Sequence, residues 1–260
     1  MIRLCVFDLG GTIIDKYSLS PFLSLKNAFK THGVNIHNSL IFDDMGKDKK
    51  EHIKLILNDK YVKRNWFQEH GSFPTFTDTN KVYNEFCRYQ LIEGIQNMEI
   101  IPETKNCINY MAKNSISTGV TTGFNKPIMM NIRDKLSNNG IFIDSYVSST
   151  CLQRPGRPNP YMIKHIMDQL SITNPKSVVK IDDTVVGIQE GKAAGCVTVG
   201  VAKWSTNMLI TKMNQKLTKE EYVERIKNSR LRLKEANPDF IVTSLDEVPA
   251  LIETINYDYL

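Results

Sequence analysis

An aspartate, Asp8, closes the apolar run Leu4 to Phe7 and is followed by Leu9-Gly10-Gly11-Thr12. A carboxylate so placed can attack phosphorus or carbon, because the amides of a glycine-rich turn organise an anion while a bound cation offsets carboxylate repulsion. The third turn position, Gly10, carries no side chain. A leaving group there receives no proton from that residue and must be stabilised from elsewhere.

Three later segments carry groups of matching chemistry. Thr121-Thr122-Gly123 offers a hydroxyl and an exposed amide to a phosphate oxygen, although such a trio equally suits a helix cap. In Gly156-Arg157-Pro158-Asn159-Pro160 the prolines fix the backbone, and Arg157 can grip a dianionic phosphate through two parallel hydrogen bonds. Arg154 is near enough to compete for that role. Lys180-Ile181-Asp182-Asp183-Thr184 ends a strand in adjacent carboxylates. One of them can turn toward a cation, since Mg2+ takes one or two carboxylates together with waters and phosphate oxygens; the other reading is an Asp cap on a helix running from Gly187 to Gly195.

These residues meet only if a sheet gathers them. Short β-branched runs recur at Leu4 to Phe7, Ser117 to Thr121, Ser145 to Val147, Val178 to Ile181, Thr198 to Val201 and Phe240 to Val242, with helical-period segments between most of them. That alternation predicts an α/β fold, a doubly wound parallel sheet of Rossmann-like type. About a hundred residues separate the first two strands, far more than one crossover helix needs. Within them, Leu23 to His32, Lys49 to Asp59 and Asn80 to Glu93 read as helices, broken by Gly33, Gly46 and the turn from Gly71 to Pro74. Residues 16–98 are therefore expected to form an inserted α-helical cap, and residues 1–15 with 99–260 the core. Ligands of open α/β sheets bind at the carboxyl ends of the strands, where such an insert can reach Asp8. A further amphipathic helix is expected from Thr218 to Ala236, packed on the core or on a second subunit.

With 260 residues, 41% of them hydrophobic, the chain can bury a full core. Its formal charge of +5 is spread out, and the densest basic runs, Lys47 to Lys50 and Arg225 to Lys234, read as solvated helix faces; no nucleic-acid partner is expected. Five cysteines without a Cys-x-x-Cys spacing suggest neither a disulfide framework nor a zinc site. A cytoplasmic location is expected, with no membrane partner, since Asp8 and Gly10 interrupt the first apolar run and no window approaches the length of a membrane span.

An Asp nucleophile, a Thr, a cation and paired Asp residues, in this order, resemble the four motifs of the haloacid dehalogenase superfamily, and the resemblance covers the whole chain. In that superfamily the first turn usually reads Asp-x-Asp-x-Thr, from which this chain departs at Gly10. After Phe42-Asp43-Asp44 comes Met45-Gly46-Lys47-Asp48-Lys49-Lys50-Glu51-His52, which is similar to the Met-Gly-x-x-Lys-x-x-His signature of the phosphonoacetaldehyde hydrolases, or phosphonatases. Thr121 to Phe124, Gly156 to Pro160 and Asp183-Thr184-Val185 resemble the same family's remaining motifs.

The resemblance implies a hydrolase that cleaves a phosphorus-carbon bond, with Lys49 as a Schiff-base lysine and Asp8 as the nucleophile. It implies a Mg2+ ion held by the Asp8 carboxylate, the Gly10 carbonyl and Asp183, and a small-molecule phosphonate held by Thr12, Met45, Thr122, Gly123, Arg157 and Lys180. A homodimer formed through the cap is implied as well. The chemistry supports Lys49 independently: carbon cannot leave phosphorus as a free carbanion, and condensation of an amine with the neighbouring aldehyde supplies the electron sink. Gly10 is then harmless, because no oxygen leaving group awaits a proton. On a helix, Lys49 and His52 share a face, so the imidazole can move protons for the lysine, while Lys47 and Lys50 would lower the amine's pKa and Met45 would desolvate it.

Some positions depart from the family pattern. Gly187 stands where a second aspartate is usual, and Asp182, where glycine is more usual, can compensate; Ser18 and Phe124 replace a cysteine and a tyrosine. A phosphomonoesterase or phosphomutase of the same superfamily is the alternative, disfavoured because loss of a general acid costs about 10²- to 10⁴-fold. A catalytically silent homologue is the other, and a dehalogenase ranks below both because Asp183 and Arg157 suit a metal and a dianion better than a halide.

Overall fold

Leu4 and Val6 pack among one set of apolar residues and Cys5 and Phe7 among another, all four fully buried, as period-two alternation requires of a strand covered by helices on both faces. In the computed structural model, which describes residues 1–258, this strand, β1 (Leu4–Phe7), is joined by β2 (Ser117–Thr122), β3 (Ser145–Ser148), β4 (Val178–Asp182), β5 (Val197–Val201) and β6 (Phe240–Val242). All pair in parallel, in the order β3-β2-β1-β4-β5-β6. The six apolar runs seen in the sequence are these six strands, four of them longer by one residue. Since the chain leaves β1 toward β2 and β3 and later returns to the far side of β1 for β4, the order reverses at β1. Phe7 pairs with Val120 on one side and Ile181 on the other, which brings Asp8 level with the ends of β2 and β4.

The crossovers are α7 (Thr104–Lys113), α8 (Lys126–Asn138), α9 (Ser149–Leu152), α10 (Tyr161–Gln169), α11 (Val185–Ala194) and α12 (Lys219–Lys234), numbered after six helices of the insert, and α13 (Val248–Asp258) follows β6. On one face of the sheet, Met162, Ile163 and Ile166 of α10 seat against Leu4, Val6 and Val178. Helix α12 begins with a capping box between Thr218 and Glu221 and turns only Ser229 and Leu233 fully inward. Among the described residues no helix is long and apolar enough to cross a membrane.

Between β1 and β2 lie α1 (Leu19–Thr31), α2 (Asn38–Phe42), α3 (Lys49–Asn58), α4 (Lys60–His70), α5 (Phe76–Tyr89) and the single turn α6 (Ile95–Asn97). Phe22, Phe29, Ile53, Trp66, Val82 and Phe86 are buried there. The helices of the insert differ from the sequence reading in the start of α1, in α4, and in α5, which runs Phe76–Tyr89 rather than Asn80 to Glu93 because the Thr75–Asp78 capping box starts it earlier. Helix α1 starts at Leu19, not Leu23, because Asp15, Tyr17 and Ser18 take positive φ values of 57°, 67° and 49°, a left-handed path that no glycine announces. Pro21 is tolerated in its first turn, where no amide is needed. Helix α4 escaped notice because only Val62 and Trp66 are buried, a stripe too narrow to show as periodicity; Asp59 caps it by accepting from the amides of Tyr61 and Val62.

The chain enters and leaves the insert along one seam. Asp15 N–H donates to Glu99 O at 2.7 Å and Ile101 N–H to Ile13 O at 3.1 Å, so the two connections run side by side. Replacing Ile166 by Ala, which empties the α10 side of the core, is expected to cost about 2–5 kcal/mol, read as a lower urea midpoint at unchanged m-value.

Candidate active site

Asp8 is the first residue past β1, and its N–H donates to Ile181 O at 3.0 Å. Its Oδ1 lies 2.8 Å from Arg157 Nη1. Arg157 is wholly buried and spans the site: Nε meets Glu190 Oε2 at 2.8 Å, and Nη2 donates to the Thr121 carbonyl at 2.6 Å and to its hydroxyl at 2.9 Å. Lys180 Nζ reaches Asp182 Oδ2 at 2.9 Å and the Thr121 hydroxyl at 2.8 Å. That hydroxyl donates in turn to Glu190.

Asp183 is held from two sides. Thr12 Oγ1 donates to its Oδ1 at 3.1 Å, and the Thr206 N–H to its Oδ2 at 2.8 Å. Its backbone carbonyl accepts from Ser205 Oγ and Asn207 Nδ2. Burial pushes the Asp183 carboxyl well above the ordinary range, and the neighbouring Asp8 and Asp182 push it further. Burial also raises Asp8, against the pull of Arg157.

Asp8, Asp182, Asp183 and Glu190 are all buried, and the cations buried with them are Arg157 and Lys180. Even a protonated Lys49 leaves negative charge uncompensated, which a low-dielectric site tolerates poorly. The site therefore fits a divalent cation: Asp8, Asp182 and Asp183 offer oxygens within 4.8 Å of one another, and hard oxygen donors suit Mg2+. Asp182 already serves Lys180, so Asp8 and Asp183 are the carboxylates left for the ion.

From the insert comes Lys49, the first residue of α3. Asp48 caps that helix, its Oδ1 accepting from the amides of Lys50 and Glu51, while its Oδ2 accepts from Ser149 Oγ of the core at 2.7 Å. The Lys49 N–H donates to Gly123 O at 3.2 Å. Its amine sits 3.7 Å from Met45 Sδ and 3.4 Å from Lys47 O. Burial lowers the Lys49 amine to about 8, although Asp8 and Asp48 pull the other way. The sequence argument assigned this lowering to Lys47 and Lys50, but Lys47 is paired with Asp44 and Lys50 lies over the Phe76 ring.

Asp8, Gly10, Met45, Lys49, Thr122, Gly123 and Arg157 line one cavity of about 20 Å³ together with Ser18, Gly46 and Phe124. Thr12, Lys180 and Asp183 stand behind its wall. His52 also stands back: fully buried, it shares a 3.2 Å hydrogen bond between Nε2 and Leu40 O, and its Nδ1 has no partner among the described residues. Burial and the nearby Lys49 bring it down to about 3, so the imidazole is neutral at ordinary pH. Arg154 is exposed over the Tyr161 ring and does not line this cavity, whereas Arg157 does. A larger outer cavity of about 750 Å³ adjoins at Gly156 and Arg157.

Glu190, Ser205, Thr206 and Asn207 were missed by the sequence reading. Glu190 left a trace, since it shares with Val186, Gly187, Gly191 and Ala194 the helix face that is buried against the sheet, and an acid among small residues on a buried face demands a cation. The loop after β5 left none.

A parallel α/β hydrolase with an aspartate poised at the topological switch point is the class that this fold and site define. A profile of the haloacid dehalogenase-like hydrolases matches residues 2–195. The phosphonoacetaldehyde hydrolase of Latilactobacillus sakei is 32% identical over 96% of this chain and 95% of its own length, and that of Lactiplantibacillus plantarum 30% identical over 98% and 97%. The crystal structure of a phosphonoacetaldehyde hydrolase-like protein from Oleispira antarctica superposes with a TM-score of 0.92 at 25% identity, over 98% of this chain and 93% of the other. The chain belongs to the haloacid dehalogenase-like hydrolase family and, within it, groups with the phosphonoacetaldehyde hydrolases.

The charge imbalance sets an expectation that needs no substrate. Mg2+ at about 100 times its dissociation constant adds about 2.7 kcal/mol of stability, visible as a higher melting temperature on adding MgCl2. Asp183→Asn, which removes one of the repelling carboxylates, is expected to be more stable than the wild type without the ion and to lose most of the Mg2+-dependent rise.

Proposed function

We propose that the chain hydrolyses the phosphorus-carbon bond of phosphonoacetaldehyde to acetaldehyde and phosphate, through a Lys49 imine and a phosphorylated Asp8. One observation carries the reading: a buried amine, lowered to about 8, opens into the same small cavity as the Asp8 nucleophile and Gly10. An ester hydrolase has no use for that amine. For a carbon leaving group it is the required electron sink.

The amine of Lys49 adds to the aldehyde, and loss of water gives the imine. Protonated, it draws the phosphorus-carbon electron pair into an enamine as Asp8 forms its bond to phosphorus. Water then cleaves the acyl phosphate, releasing phosphate and restoring Asp8, while the enamine takes a proton on carbon and is hydrolysed to acetaldehyde and free Lys49. Mg2+, bound by Asp8, the Gly10 carbonyl and Asp183, would screen the repulsion between carboxylate and phosphonate. Arg157, which rests on Asp8, turns its fork to the phosphonate oxygens, which Thr122 and the Gly123 amide also meet. Lys180 acts behind them, and Thr12 holds Asp183 in place. His52, one turn along the same helix, stays neutral with Nε2–H directed to Leu40 O; at about 3 it is too weak a base to take a proton from the adding amine, and it stands as a buried neighbour of Lys49.

In this reading the insert, residues 16–98, is a cap that closes over the site. A cavity of about 20 Å³ holds little more than a water molecule, so the substrate enters only when the cap lifts. Gly123 permits the closed arrangement, because a Cβ there would run into the backbone carbonyls of Lys47 and Gly46.

Borohydride with phosphonoacetaldehyde is expected to leave a reduced adduct on Lys49, located by peptide mass mapping; an active enzyme without that adduct sinks the proposal. Below the lowered value of about 8 the amine is protonated, so trapping should fall about tenfold per pH unit on the acid side, with no break near 6.5 from His52. Gly123→Ala is expected to lower kcat/KM by about 10²-fold with an unchanged circular dichroism spectrum.

A further inference from the structure

Two large aromatic residues take positive φ values, Tyr17 at 67° and Trp204 at 64°. A bulky side chain in that left-handed region is an outlier, kept there only where surrounding structure overrides the strain. The two hold each other. Tyr17 N–H donates to Trp204 O at 2.6 Å, and the rings meet edge to face with centroids 5.6 Å apart. Neither lines the cavity of Asp8 and Lys49.

They belong to different parts of the molecule. Tyr17 lies in the outgoing connection to the insert, beside Ser18, which does line that cavity, and two residues before α1. Trp204 follows β5 and precedes Ser205, Thr206 and Asn207, the three residues that hold Asp183 from the core side. Its Nε1 donates to Glu103 Oε2 at 3.1 Å, in the returning connection, and Lys203 fastens the same carboxylate. Lys16 Nζ lies 4.8 Å over the indole while pairing with Glu99 at 3.2 Å. Both connections of the insert therefore meet the one loop that fixes Asp183.

We propose that Tyr17 and Trp204 are positioning residues, a clasp that couples closure of the insert to the hold on Asp183 and so to Mg2+ affinity. The inference rests on the reading of Asp183 as a Mg2+ ligand and of the insert as a cap that lifts. Lifting α1 turns the residues just before it. Tyr17 then draws on the Trp204 carbonyl and ring, and the loop from Ser205 to Asn207 shifts off Asp183. In the other direction, an ion that fixes Asp183 steadies the loop, the clasp and the closed insert. The coupling is the same in both directions, as linkage requires.

The test uses Mg2+ alone, titrated calorimetrically into the whole chain without substrate. Trp66 is the other tryptophan, so in Trp66→Phe the emission reports Trp204, a measurement that leaves the clasp intact. Mg2+ is expected to shift that emission with the dissociation constant found by calorimetry. Tyr17→Gly keeps the backbone donor and relieves the strain but removes the ring, and it changes no partner of Asp183. It is expected to weaken Mg2+ about 10-fold, the scale of a coupling between sites, whereas Tyr17→Phe, which keeps the ring, should retain wild-type affinity. Trp204→Gly should match Tyr17→Gly, and the double change should lose no more than either alone, since the two form one contact. Wild-type affinity in Tyr17→Gly, losses that multiply in the double variant, or Mg2+ binding that leaves Trp204 emission unmoved each overturn the proposal. A wild-type chain that binds no Mg2+ removes the reading of Asp183 itself, and the proposal with it.

Discussion

Four carboxylates buried against two permanent cations at the end of one sheet form the constraint that the rest of the structure serves. A cluster of that composition is unstable in a dry interior unless each oxygen is directed. The fold directs them from separate strands. Asp8 is fixed by β1, Thr121 by β2, Asp182 and Asp183 by β4 and Glu190 by α11, so the cluster forms only when the parallel register is complete. The residual negative charge is the useful part. It is what a divalent cation would neutralise, and burial together with the neighbouring Asp8 and Asp182 raises the Asp183 carboxyl.

The insert converts this polar edge into a closed chamber. Asp48 does two things at once, capping the helix that begins with Lys49 and accepting from Ser149 of the core, so the helix that carries the amine is oriented by the same carboxylate that holds the two parts together. Closure also excludes water. Burial, rather than neighbouring lysines, is what brings the amine down to about 8, and the same burial holds His52 neutral. A lifted insert would expose both groups and return them toward ordinary behaviour, so the chemistry of the lysine is tied to the closed state.

Most of the sheet was legible in the sequence because buried parallel strands write themselves as short β-branched runs. Asp8, Thr122, Gly123, Arg157 and Asp183 were legible because each stands at or just past a strand end or beside a glycine or proline that marks a turn, whereas Lys49 and His52, on α3, were legible only through the resemblance of their segment to a family motif. What escaped depended on three-dimensional packing. Helix α4 hides behind a two-residue buried stripe, and the start of α1 behind left-handed residues that are not glycine. Ser205, Thr206 and Asn207 support Asp183 from a loop whose composition is ordinary. The spacing of Lys49 and His52 correctly put them on one helix, yet could not show that Lys49 alone would open into the cavity with Asp8.

Gly10 acquires its meaning from this arrangement. A side chain on it would start 3.1 Å from Ser18 Oγ and 3.8 Å from an oxygen of the buried Asp15, a fit that a small shift of Ser18 would relieve, so what Gly10 lacks is the acid itself rather than room for one. A site that has given up its proton donor in this way can expel only a leaving group stabilised by other means, and the group that the insert brings into the cavity is an amine. The position without an acid and the buried lysine line the same cavity, so the proposed chemistry asks of the second what the first does not supply.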